Sequence, residues 1–242
     1  MSSTVAELRY TLALVVLFPA CTKEKDHTVV QAAETRRQAG PTETPRERSH
    51  RLVPRLERGG PVDQLEAPLL RLDKKLGIGV RLVLRSPGES KVPSTEELDE
   101  IRDLGRPMAE ILHRNLSALM KRHKPELTGV GSPGSTAVYG LDLEIPGYEA
   151  ILLLPAFWDF LKAMLREDAC VALPERSTLL VLQKSLAMPP PDSSPARQEL
   201  LAKMADLLDR RYRNGADPLV DRFIYLEKGK LEAGPAFRDL IR

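Results

Sequence analysis

The chain has 242 residues, and 36 basic side chains against 34 acidic ones leave a formal net charge of +2. A balance this close to neutral argues against a chain devoted to nucleic acid, and 42% hydrophobic content fills a core without suggesting several membrane spans. Two cysteines make no disulfide framework, and no Cys/His spacing suits zinc, so neither a metal nor another cofactor is expected.

The N-terminus reads as an address. Tyr10 to Ala20 is an apolar run too short to cross a bilayer as a helix but long enough for a signal-peptide core. Leu17-Phe18-Pro19-Ala20-Cys21 resembles a bacterial lipobox, in which Cys21 takes the lipid and becomes the first mature residue. Residues 1–20 are then a signal peptide, and Thr22 at the following position favours, by analogy, the outer membrane of a Gram-negative cell. The alternative is a buried first element with an ordinary cysteine, in a cytoplasmic protein. Residues 21–50 lack large apolar runs and are rich in Thr, Gln, Arg and Glu, the composition of a flexible tether. Removing 1–20 leaves the charge at +2, so attachment to a membrane rests on lipid rather than on a polybasic surface.

Residues 51–242 carry the folded pattern. Arg51 to Leu56 opens it, and Ile78, Val80, Leu82 and Leu84 alternate as a strand. Ser94 with Glu97 is a capping box, followed by helical spacing from Leu98 to Met120, divided near Gly105 and Pro107 and ended by Pro125. Ala137 to Leu143 and Tyr148 to Leu154 read as strands, and Pro155 starts a helix with Phe157, Trp158 and Leu161 on its inner side. Ala169 to Leu173 and Thr178 to Gln183 are strands on either side of Pro174-Glu175-Arg176-Ser177. Ala196 to Tyr212 is an amphipathic helix with Leu200, Leu201, Met204, Leu207 and Leu208 on one face, stopped by Asn214-Gly215. Arg222 to Leu226 pairs with Lys230 to Phe237 across Lys228-Gly229. Strands and helices mix without strict alternation, so the expected class is α+β, a single mixed sheet with packed helices.

Four places, taken in order, resemble the YtpQ-like family, a bacterial group of unknown function. They are Leu52-Val53-Pro54-Arg55, the helix through Asn115-Leu116-Ser117-Ala118-Leu119, Gly147-Tyr148-Glu149-Ala150 with the later Val171 to Val181, and the closing Tyr225 to Glu232. The resemblance covers about residues 49–235 and implies a fold and a shared surface, with no established activity. Here a signal and tether stand in place of the family's N-terminal segment. Arg114 stands where an acid is common before the Asn, and Ser177 where an Asp often follows the Arg.

No sequence pattern carries an evident reaction. Gly129 to Gly134 spells G-x-G-x-x-G, but it lies between a helix and a strand, the reverse of a dinucleotide loop. The four histidines are scattered, and neither Ser117 nor Ser177 sits in a nucleophile elbow. Cys170 lies inside an apolar strand, and the acids from Glu96 to Asp103 suit a helix start. Two residues stand out as ligand-binding candidates. Asn115 carries a propensity cost inside a helix that a specific hydrogen bond would offset, to a ligand or to a neighbouring loop. Arg176, between two apolar strands, suits bidentate binding of a carboxylate or phosphate, or pairing with Glu175 or the surface. The expected function is a non-enzymatic domain that binds a protein or small ligand, held at the cell envelope by lipid on Cys21. The alternatives are an enzyme with an unfamiliar site near Asn115 and Arg176, or a cytosolic regulator.

Overall fold

In the computed structural model of the protein the described residues are 43–60, 66–86, 89–130, 138–143, 145, 147–190 and 193–241. The expected signal peptide, Cys21 and most of the expected tether lie outside them. The folded unit begins at Glu43, earlier than the sequence suggests, because Pro45–Arg51 form helix α1. Its Thr44 and Glu47 close a reciprocal capping box that satisfies free backbone donors at the helix start. A helix this short needs outside anchors. Buried Arg48 supplies one by pairing with Glu100, and Ser49 is also buried.

The class is α+β as expected, but the strands divide between two sheets where the sequence suggests a single mixed sheet. Strands β1 (Leu52–Arg58), β3 (Ile78–Ser86) and β4 (Glu89–Lys91) make an antiparallel sheet in the order β1-β3-β4. The larger sheet uses β2 (Arg71–Leu72), β5 (Leu127–Gly129), β6 (Val138–Asp142), β7 (Ala169–Glu175), β8 (Thr178–Gln183), β9 (Arg222–Glu227) and β10 (Lys230–Ala236). Its order is β2-β10-β9-β7-β8-β6-β5, antiparallel except where β2 joins β10. Lys228 and Gly229 both take positive φ in the β9–β10 turn, the geometry of a tight hairpin whose twist matches its strands.

Strand β7 is buried along its whole length, which explains why it reads as a continuous apolar run. Cys170 and Ala172 face one core with Leu182, Phe223 and helix α6 (Pro195–Asn214). Val171 and Leu173 face the other, with Ile224 and helix α4 (Pro155–Leu165). Helix α3 (Met108–Arg122) lays Ile111, Leu112, Leu116 and Leu119 into that second core, which also takes Leu52 and Leu56 of β1. The division expected near Gly105 and Pro107 is complete: α2 (Thr95–Arg102) ends there, and α3 starts after Pro107. A short helix α5 (Lys184–Ala187) follows β8.

Two further expectations differ from the structure. Tyr148 to Leu154 is not a strand: Tyr148–Leu153 form a 3-10 helix, every residue of it buried. Gly147 opens it at φ 80°, a left-handed conformation that favours glycine, with Val53 and the Pro54 carbonyl at ordinary contact distance, 3.7 and 3.8 Å from an added Cβ. The inner face of α6 is Leu201, Met204, Ala205 and Leu208, while Leu200 and Leu207 are 37% and 41% exposed. Gly215 ends α6 where no Cβ fits, since one would lie 2.6 Å from Glu175 Oε2 and 2.7 Å from the Arg211 carbonyl oxygen.

Candidate functional site

Strand β1 lies at the edge of its sheet, and an edge leaves backbone groups unpaired. Pro54 stands opposite Leu82 in the ladder. Having no N–H, proline suits an outward-facing position of an edge strand. Leu52 and Leu56, two residues either side, turn their carbonyls the same way, and both sequence-nominated residues bind there. Asn115 Nδ2 donates to the carbonyl oxygens of Ser49 and Leu52, each at 2.7 Å. Arg176 Nη1 donates to the carbonyl oxygen of Leu56 at 2.8 Å. Four strand residues separate the two carbonyls, about 13 Å of extended chain. Asn115 and Arg176 thus hold two ends of one strand edge and are not brought together in a cleft.

Arg176 is more heavily engaged than its place in a β-turn suggests. Its Nη1 also donates to Glu149 Oε1 at 2.5 Å, and its Nε donates to Asp217 Oδ2 at 2.6 Å. Glu149 is 1% exposed, on the 3-10 helix. Burial pushes its carboxyl above the ordinary range, against the pull of Arg176 and then Arg55. The turn therefore ties the large sheet to the 3-10 helix through the ion pair with buried Glu149, and to the edge of the small sheet through the Leu56 carbonyl. Arg176 does not pair with Glu175, which is held by Arg211 at 2.8 Å and by the Thr178 hydroxyl at 2.9 Å.

The remaining sequence features have ordinary settings. Cys170 is fully buried, and burial pushes its thiol up to about 12, which leaves little nucleophilic thiolate. The G-x-G-x-x-G stretch begins at the end of β5 rather than after a helix and leads to β6, its residues 131–134 lying outside the described ones. Arg210 and Arg213 pair with Asp206 and Asp209 one turn back along α6. Among the described residues no group of three or more His, Cys, Asp or Glu is placed to hold a metal ion. None of their helices is long and apolar enough to cross a membrane.

The site that sequence reading missed is a basic cleft of about 300 Å³. Arg46 and His50 line it from α1, Arg106 from the α2–α3 connection and Arg114 from α3. Leu104 and Ile111 supply apolar surface, and Ile111 is buried. Of the acids close to it in sequence, Glu43 pairs with Arg51 and Glu100 with Arg48, while Asp103 and Glu110 make no ion pair within 4.0 Å among the described residues. None of Arg46, Arg106 and Arg114 has a carboxylate within 4.0 Å among the described residues, and Arg114 Nε is enclosed without an acceptor. Three arginines line one cleft with no ion pair of their own among the described residues, a setting whose chemistry suits an anion. No spacing rule links positions 46, 106 and 114. Only the docking of α1 onto α3, through Asn115, assembles them. No protein-family model, curated protein or solved structure matches the chain.

Proposed function

We propose that the chain is a non-enzymatic binding domain of the bacterial cell envelope, tethered through lipid on Cys21, which takes an anionic ligand in the cleft of Arg46, Arg106 and Arg114. The observation that supports binding is the set of three arginines lining a common cleft with no carboxylate within 4.0 Å of any of them among the described residues. The likeness of residues 49–235 to the YtpQ-like family is part of the same proposal and adds a fold and a surface, but no reaction. Asn115 and Arg176, the residues around which an enzymatic alternative would be built, are engaged within the fold, Asn115 at the start of β1 and Arg176 with Leu56, Glu149 and Asp217.

The anchor and the cleft are tested separately. In the native host, the mass of the mature N-terminal peptide is expected to match a diacylglyceryl cysteine at Cys21. An intact, unmodified Met1 or Ser2 terminus would remove the envelope from the proposal. For the cleft, calorimetric titration of the full chain with phosphate, succinate and citrate is expected to give one saturable site. Heat of dilution alone for all three would remove the ligand.

A further inference from the structure

We infer that the anion is a phosphate monoester whose ester group lies on Leu104 and Ile111. The inference rests on the anion-binding reading of the cleft and names its ligand class. The guanidiniums reach the cleft from three separate segments, α1, the α2–α3 connection and α3. A planar carboxylate carries one negative charge on two oxygens in one plane, and one guanidinium fork already balances that charge. A phosphate monoester offers three terminal oxygens in a tetrahedral arrangement and carries about −1.5 to −2 charge at neutral pH, which suits several arginines supplied by separate segments. His50 adds an imidazole on the same wall, a further donor for a phosphate oxygen when protonated. The fourth oxygen bears the organic group, and Leu104, 40% exposed, gives that group an apolar surface over buried Ile111 at the cleft floor. A cleft of about 300 Å³ is at the small end for organic ligands and suits a short ester better than a nucleotide.

The same headgroup chemistry occurs free in solution and on a membrane surface. Arg46 and His50 lie at the end of the stretch expected as a tether, folded into α1, which makes a lipid source as relevant as a soluble one.

The test titrates the full chain with sn-glycerol 3-phosphate, inorganic phosphate and succinate in a calorimeter. In parallel it is sedimented with phosphatidylcholine vesicles with and without phosphatidic acid. The expected result is a saturable site for glycerol 3-phosphate, tighter than for succinate, or a phosphatidic-acid-dependent gain in sedimentation that glycerol 3-phosphate competes away. The first outcome identifies a soluble monoester and the second a headgroup. Arg106→Met, at an exposed position where folding is not at stake, is expected to weaken that binding about 10–100-fold, the effect of one lost charge-assisted contact. Arg114→Met is expected to do the same, and Arg210→Gln on α6 to leave it unchanged. Succinate binding as tightly as glycerol 3-phosphate overturns the phosphate assignment while leaving an anion site standing. Binding unaffected by Arg106→Met and Arg114→Met places the ligand elsewhere and overturns it too. No binding of any of these anions overturns the anion-site reading itself.

Discussion

Arg176→Met is expected to cost about 3–5 kcal/mol of folding stability at pH 7 and distinctly less near pH 4.5, because it strands a buried carboxylate. Glu149 is 1% exposed, and Arg176 is its one ion-pair partner within 4.0 Å among the described residues. The direction of the pH effect follows from the sign of the shift. Burial holds the Glu149 carboxyl above the ordinary range in the folded protein, while in the unfolded chain it titrates at about 4.3. The folded state therefore binds this proton more tightly. That contribution to stability is complete below about pH 4.3 and is lost as pH rises through the folded value. Removing Arg176 removes the main opposing pull, so the folded value rises further and the loss at neutral pH grows. A residual loss persists at every pH, because the bonds from Arg176 to Asp217 and to the Leu56 carbonyl do not depend on Glu149. Urea denaturation followed by the fluorescence of Trp158, the chain's single tryptophan, measures this at the two pH values in wild type and variant. Adding Glu149→Gln to Arg176→Met is expected to restore part of the stability at pH 7 and flatten the extra pH dependence. An equal loss at both pH values would mean that Arg176 is not neutralising Glu149.

Much of this fold is written in local chemistry. The Ser94–Glu97 capping box, the Lys228-Gly229 turn, the alternation at the start of β3 and the stop at Gly215 are all set within a few residues, so they can be read without a partner in view. The failures have the opposite character. Tyr148 to Leu153 is buried all round, and a run buried on every side has no period to distinguish a strand from a helical turn. Helix α1 looked like tether because its polar sequence gains its order from Arg48–Glu100 and from Asn115, contacts made across the chain. Glu149 left a legible trace: an acid inside Tyr148-Glu149-Ala150-Ile151 needs a buried partner, and the arginine between two apolar strands was the natural one to seek. The basic cleft left none. Its residues are surface arginines with no pattern of their own, and the site exists only once α1 packs near α3.

That dependence makes Asn115 the residue on which the cleft turns. Asn115→Leu keeps the size of the side chain but withdraws both donors from the Ser49 and Leu52 carbonyls, at 4% and 0% exposed residues. Two enclosed acceptors left unpaired are expected to cost about 2–6 kcal/mol in all. The loss falls first on α1. Its seven residues are too few to stand alone, and the capping box at Thr44 holds only the helix's first turn. Local opening of α1 is therefore expected at a lower free energy than global unfolding. Amide hydrogen exchange would detect it as faster exchange over residues 48–52, with protection across β7 and β8 falling only by the global loss of stability. Trypsin would detect it as early cleavage after Arg46, Arg48 or Arg51. Since Arg46 and His50 ride on α1 while Arg106 and Arg114 do not, the variant is also expected to bind glycerol 3-phosphate more weakly under conditions where it remains folded. Unchanged exchange in α1 would show that the helix is held by Arg48 and its cap alone. In that case Asn115 would serve only the edge of β1, and the cleft would be assembled without it.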